Sequence, residues 1–147
     1  MHPDYLKAYE RVGDKPLGIG GCASAWKVKK IGTDEIFVAK EFLGSDSDIK
    51  PIFDPEVDAL KEVNHPGCVK CHEVYGKGES GSVLIIDYCS GSDLNKVIFY
   101  GNDKYPDGVI DKITTIDLLI QMAEAIRYLH TELYMVHRDL HWKNWML

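Results

Sequence analysis

Near its end the chain carries the stretch Tyr134-Met135-Val136-His137-Arg138-Asp139-Leu140-His141-Trp142-Lys143-Asn144. Asp139 stands five positions before Asn144, and His137 and Arg138 come directly before the aspartate. A carboxylate can accept or orient the proton of an attacking hydroxyl group, and an amide oxygen can hold a magnesium ion on phosphate oxygens. The stretch therefore predicts a phosphoryl-transfer site, provided that the preceding chain supplies a place for the phosphates.

A glycine-rich stretch, Leu17-Gly18-Ile19-Gly20-Gly21-Cys22-Ala23, fits the pattern G-x-G-x-x-A. A dinucleotide-binding fold would place a buried strand before it and a helix after it. Here residues 11–16 do not form a buried-strand pattern, and residues 24–30 alternate polar and apolar side chains like a strand. The glycines therefore predict a loop between two strands, whose amides can approach phosphates. A plain glycine-rich hairpin is the alternative.

The next strand is predicted over Ile36–Phe42. Because side chains alternate in a strand, Val38 and Lys40 share a face. That face can contact the base of a nucleotide with an apolar side chain and its phosphates with an ammonium group. A solvated surface lysine is the alternative.

A helix is predicted to begin at Asp54-Pro55, after a flexible acidic loop over residues 44–50. This start places Glu56 in the first turn, and residues 64–67 end the helix. Its apolar stripe consists of Val57, Leu60 and Val63.

Further elements follow along the chain. Residues 82–89 predict an apolar strand, Asp93 stands near the start of a short helix, and residues 101–111 read as a loop. Thr114-Thr115-Ile116-Asp117 has the pattern of a capping box that opens a long amphipathic helix ending near His130. The apolar face of that helix consists of Ile116, Leu119, Ile120, Ala123, Ile126 and Leu129.

Cys68-Val69-Lys70-Cys71-His72 matches the attachment motif of c-type haem and half of a zinc site with His65 or His72. No second ligand pair accompanies it, and no export signal is recognisable. A strand that buries small sulfur-containing side chains is the favoured interpretation. The four cysteines are expected to be reduced thiols of an intracellular protein, cytoplasmic or nuclear.

The composition narrows the classes of function. The chain has 17 basic and 23 acidic residues, a net charge of −6. A basic excess is typical of general nucleic-acid binders and of proteins that bind anionic membranes, so neither class is expected. No apolar run approaches the roughly 20 residues that cross a bilayer.

In the order of these motifs and elements, the chain resembles the eukaryotic protein kinase family, and within it the serine/threonine kinases. The resemblance extends from about Leu17 to the end of the chain. The resemblance implies an α+β fold with an antiparallel five-stranded small-lobe sheet and its helix. The first helices of the large lobe and the catalytic loop then follow. The implied division is a lead-in over 1–16, the small lobe and hinge over 17–89, and a partial large lobe over 90–147.

The resemblance also implies ATP and magnesium as cofactors and a protein as substrate. Lys40 would hold the phosphates and pair with Glu56, Asp139 would be the catalytic base, and Asn144 would bind magnesium. The residues implied around the nucleotide are Leu17, Gly18, Gly20, Ala25, Val38, Ile86, Asp87, Cys89 and Asp93.

The chain departs from the family pattern at several positions. Ala23 replaces the third glycine, Ala25 the usual valine, and His141 the lysine that steadies the transferred phosphate. The sequence stops at Leu147, before the expected D-F-G motif. A nucleotide- or partner-binding module without catalysis is therefore the second hypothesis. We also expect the apolar face of the 115–130 helix to lie exposed and to be covered by a partner or a chaperone.

Overall fold

The computed structural model describes residues 2–147, and its contacts divide into two compact units. The first, called here the sheet unit, contains the chain up to Asn64 and Val69–Tyr88. The second, called the helical unit, contains His65–Cys68 and Cys89–Leu147.

In the described chain, six strands form one sheet with antiparallel pairing throughout, which confirms the predicted α+β class. The spatial order is β1-β3-β4-β6-β5, and β2 pairs with β3 beside this path. The sheet has six strands, whereas five were expected. The expected first strand is divided into β1 and β2 by an interruption between Arg11 and Gly18. Gly13, with a φ of +92°, turns the backbone there. The strands are β1 Tyr9–Arg11, β2 Gly18–Ile19, β3 Ala23–Lys30, β4 Ile36–Phe42, β5 Cys71–Tyr75 and β6 Val83–Asp87.

One face of the sheet is covered by the chain's own beginning. Helix α1, Pro3–Ala8, leads into β1, and Tyr5 and Tyr9 are buried. Residues 3–11, which the sequence assigned to a lead-in, therefore supply part of the core of the sheet unit. The cluster on this face consists of Tyr5, Tyr9, Val28, Ala39, Val83 and Ile85.

The other face is covered by helix α2, Asp46–Glu62. The predicted helix start at Asp54 and the predicted loop over residues 44–50 are therefore wrong. Pro51 and Pro55 lie inside the helix, although a proline there lacks the N–H group of one helical hydrogen bond. Burial of apolar side chains offsets that cost. The buried cluster consists of Ile49, Phe53 and Val57 from α2, with Phe42 and Leu84 from the sheet.

The helical unit contains α3, Leu94–Tyr100, α4, Lys112–Thr131, and a 3-10 turn at Trp142–Asn144. The predicted capping box at residues 114–117 is wrong, because α4 begins earlier. Asp111 caps it by accepting the N–H groups of Ile113 and Thr114, each at 3.0 Å.

Much of the predicted apolar face of α4 is open. Ile116, Leu119 and Ile120 are 47%, 53% and 51% exposed, whereas Ala125 is buried. Among the described helices, α4 included, none is both long and apolar enough to cross a membrane.

Candidate active site

Lys40 and Glu56 form the central ion pair of the sheet unit. The ammonium nitrogen of Lys40 lies 2.6 Å from both carboxylate oxygens of Glu56. Glu56 is not in the first turn of its helix, as the sequence suggested, but well inside α2. The pair thus joins a side chain of β4 to a side chain from the interior of α2. Charge-assisted contacts of this kind are stronger than neutral hydrogen bonds.

The side chains predicted to surround a nucleotide base meet on the same face of the sheet. Residues directly opposite each other in an antiparallel pair point to the same side. Ala25 lies opposite Lys40, and Ile86 lies opposite Val38. Because Val38 and Lys40 alternate with Ala39, all four side chains share one face. The sheet therefore places an ammonium group beside an apolar strip.

The glycine-rich loop is a tight hairpin between β2 and β3. The N–H of Leu17 donates to the carbonyl of Ala25 at 2.7 Å, and the N–H of Gly20 donates to that of Ala23 at 2.8 Å. Gly18 and Gly20 are absent from the glycines with positive φ, and a Cβ on Gly18 would meet nothing within 4 Å. The hairpin itself therefore does not require glycine at Gly18, and the missing side chain leaves space for a ligand to approach the backbone.

In the helical unit, Asp139, His141 and Asn144 come together. The amide nitrogen of Asn144 donates to the backbone carbonyl of Asp139 at 2.8 Å and to its carboxylate at 3.1 Å. The Nε2 atom of His141 lies 3.4 Å from the same carboxylate. The Nδ1 atom of His141 accepts the N–H of Lys143 at 3.2 Å. In this tautomer the ring carries its proton on Nε2, facing Asp139.

The backbone before Asp139 is strained. Arg138 has a φ of +64°, in the left-handed region that side chains other than glycine rarely adopt. The N–H of Asp139 donates to Nδ1 of His137 at 3.3 Å. Strain of this kind is typical of functional loops, where surrounding contacts hold an unusual backbone conformation.

The residues of this loop fit a partial magnesium site. Because the nitrogen of Asn144 points at Asp139, its amide oxygen is the atom that would bind a metal ion. Among residues 2–147, no group of three His, Cys, Asp or Glu side chains could hold a metal. Magnesium usually takes few protein ligands and completes its shell with water and phosphate oxygens, so a lone amide oxygen suits it.

In the part of the chain described, Cys68, Cys71 and His72 do not form a group of three that could hold a metal ion, which argues against the zinc hypothesis. Haem attachment stays a prediction. The ring of His72 instead contacts the carboxylate of Asp87 at 2.6 Å. Burial raises the pKa of both the Cys68 and the Cys71 thiols, which disfavours the thiolates that metals bind.

Two further predicted site residues, Cys89 and Asp93, belong to the helical unit. Asp93 caps α3: its carboxylate accepts the N–H of Lys96 at 2.9 Å and pairs with the Lys96 ammonium at 3.1 Å. Burial raises the pKa of Asp93, but the hydrogen bonds from Lys96 outweigh it and the net pKa is lowered. Its contact with a ribose stays a prediction.

Sequence reasoning missed the ring of Phe42, whose centroid lies 5.2 Å from the Lys40 ammonium. The alternation of β4 could have revealed it, since Phe42 stands two residues after Lys40 on the same face. The ring limits the positions that the lysine side chain can take.

The comparison with known families decides the identity. The model of the protein kinase domain matches residues 11–147. The chain belongs to the protein kinase family. Residues 11–16, outside the region on which the resemblance rested, are thus part of the kinase domain, in line with the strand Tyr9–Arg11.

Several curated kinases are similar to this kinase chain. Serine/threonine-protein kinase cds1 of Schizosaccharomyces pombe is 32% identical over 89 residues, which is 60% of the chain and 18% of that protein. Mitogen-activated protein kinase kinase 9 of Arabidopsis thaliana is 29% identical over 136 residues, 89% of the chain and 40% of that protein. Serine/threonine-protein kinase PkaA of Streptomyces coelicolor is 28% identical over 141 residues, 86% of the chain and 24% of that protein. The chain thus spans less than half the length of these relatives.

Proposed function

We propose that the protein transfers the γ-phosphate of ATP to serine or threonine hydroxyl groups of protein substrates. The observation that carries the proposal is the Lys40–Glu56 pair, with both oxygens at 2.6 Å from the ammonium. This is the arrangement that phosphoryl transfer by protein kinases requires. The choice of serine and threonine rests on similarity to serine/threonine-protein kinases such as cds1 and PkaA.

Each residue has a distinct part in the proposed reaction. Lys40, positioned by Glu56, binds phosphate oxygens, while Gly18 and Gly20 offer backbone N–H groups to them. Asp139 accepts a hydrogen bond from the substrate hydroxyl and orients its oxygen toward the phosphorus atom. Positioning and electrostatic stabilisation of this kind supply most of the catalysis in phosphoryl transfer. A bound magnesium ion would neutralise phosphate charge, and the amide oxygen of Asn144 would hold it.

His141 stands where serine/threonine kinases carry a lysine that steadies the transferred phosphate. The imidazole is a weaker substitute for that ammonium group, so a His141→Lys variant is expected to transfer phosphate faster than the wild type.

The test is transfer of labelled phosphate by the full-length protein. Lys40→Met and Asp139→Asn are each expected to lower the rate by about 100-fold or more. Lys29→Met is the matched control, because this lysine lies on neighbouring β3 in an exposed pair with Asp34 at 2.8 Å. Transfer that both variants retain would contradict the proposal. Nucleotide binding by the wild type without any transfer would favour the binding-module hypothesis instead.

A further inference from the structure

His72 occupies an irregular position on β5. Cys71 pairs with Ile86 and Glu73 pairs with Ile85, so the register shifts between them and His72 is the extra residue of a bulge. A bulge re-aims a side chain and is typical of places near functional sites. Here it directs the imidazole to the last residue of β6, Asp87, whose Oδ1 lies 2.6 Å from Nε2.

Asp87 is tied to the beginning of β5 by three contacts. Besides the His72 ring, its Oδ2 accepts the N–H of Lys70 at 2.8 Å, and its own N–H donates to the Lys70 carbonyl at 3.1 Å. Burial raises the pKa of the Asp87 carboxyl, but the hydrogen bonds from His72 and Lys70 outweigh it, so the net pKa is lowered. The carboxylate is thus present as an anion at neutral pH.

The neighbouring groups limit what else the ring can do. The edge of His72 packs on Phe37 of β4, with ring centroids 4.9 Å apart. The carboxylate of Asp87 contacts the ring, and the charge of Lys70 also acts on Asp87. Both side chains are partly exposed, 38% for His72 and 39% for Asp87. A pair this exposed adds little to global stability.

We infer that His72 is a positioning residue for the nucleotide: its contact with Asp87 fixes the end of β6, whose backbone would bind the adenine. This inference rests on the proposed function, in which Asp87 belongs to the adenine site. A segment that is already ordered costs less to immobilise on binding. Because the acceptor is a carboxylate, the hydrogen bond from His72 is stronger than one between neutral groups. ATP is therefore expected to bind more weakly when the contact between His72 and Asp87 is removed.

The experiment measures the Kd of ATP for the full-length protein by calorimetry at one fixed pH. His72→Ala removes the donor to Asp87, and Asp87→Asn removes the anion without changing the backbone. We expect the wild type to bind ATP about threefold more tightly than either variant. For His72→Ala, the kcat at saturating ATP is expected to stay unchanged.

Two further variants separate positioning from simple stability. His72→Arg keeps a donor toward the Asp87 carboxylate, so it is expected to bind ATP about as tightly as the wild type. Asp34→Asn removes a carboxylate from another ion pair of the same sheet and is expected to leave the Kd unchanged. Equal Kd values for wild type and His72→Ala would overturn the inference, as would a loss of kcat with an unchanged Kd. Absence of ATP binding by the wild type would overturn the proposed function as well.

Discussion

The sheet unit and the helical unit differ in how many of their apolar side chains they bury. Of the buried apolar residues in the described chain, all but Leu94, Val97 and Ala125 belong to the sheet unit. Long apolar side chains of the helical unit, such as Ile113 at 74% exposed and Leu119 at 53%, face solvent. Both units contain elements with an amphipathic sequence pattern. Such a pattern shows that one face of an element is apolar enough to be buried, but burial also needs a partner surface.

The largest expected effect compares one leucine from each unit. Leu84 is fully buried in the sheet unit, and Leu119 of α4 is half exposed. Leu84→Ala is expected to lower the free energy of unfolding by about 3 kcal/mol, because it removes apolar contacts and leaves a cavity. Leu119→Ala is expected to change it by less than about 0.5 kcal/mol. Denaturant unfolding of both variants measures the difference, and equal losses would show that the face of Leu119 is covered in the intact protein.

The next effect concerns the buried carboxylate of the sheet unit. Glu41 is 3% exposed and lies 2.6 Å from the Arg11 guanidinium, which sits 3.6 Å above the Trp26 ring. Burial, with the Glu41 charge second, raises the pKa of Tyr5 to about 12, so its hydroxyl remains a donor to Glu41.

Glu41→Gln is expected to cost about 2 kcal/mol of unfolding free energy, since it leaves a partly buried arginine without its counter-ion. Asp34→Asn, in an exposed pair on the same sheet, is the control and is expected to change nothing measurable. If Glu41→Gln lowers the unfolding free energy as little as the control does, residues 3–11 do not stabilise the sheet.

A smaller effect depends on pH. The hydrogen bond from Tyr75 is the largest cause that lowers the pKa of Glu73 below its ordinary value of 4.5, burial opposes it, and Lys30 and Tyr9 add to the lowering. A group with a lowered folded pKa gives stability that is present above the unfolded pKa. That stability is lost as the pH falls through the folded value.

The melting temperature is therefore expected to fall below pH 4.5, and Glu73→Gln is expected to remove about 3 °C of that dependence. Thermal melts from pH 3 to 6 test this expectation. A variant whose melting temperature falls with pH as steeply as that of the wild type would assign the acid sensitivity to other carboxylates.

The smallest effect is a gain in the helical unit. Tyr134, after the end of α4, has a φ of +54° and is 88% exposed. Tyr134→Gly is expected to raise the unfolding free energy by about 1 kcal/mol, because glycine adopts this conformation without strain. Tyr100→Gly, an exposed tyrosine at the last position of α3, is expected to lower it. Chemical denaturation measures whether each variant raises or lowers the unfolding free energy. A lower value for Tyr134→Gly would mean that the tyrosine ring makes a stabilising contact.

Much of the fold was predictable because its patterns are local. The alternation around Lys40 predicted β4 and the face that Lys40 shares with Val38, and the structure has both. The helix over residues 46–62 was not predictable in its first half, since Pro51 and Pro55 argue locally against a helix. There, contacts of Ile49 and Phe53 with the sheet outweigh the local preference.

The family, the glycine loop, Lys40 and the stretch from His137 to Asn144 were determined by the sequence, because each depends on residue type at fixed spacing. The resemblance already implied the Lys40–Glu56 pair, and the tertiary structure decided that Glu56 reaches Lys40 from well inside α2, that residues 3–11 cover the sheet, and that His72 reaches Asp87. These contacts join residues distant in the chain, and their formation depends on how strands pair and on what a helix can bury. Local patterns carry no information about such pairings.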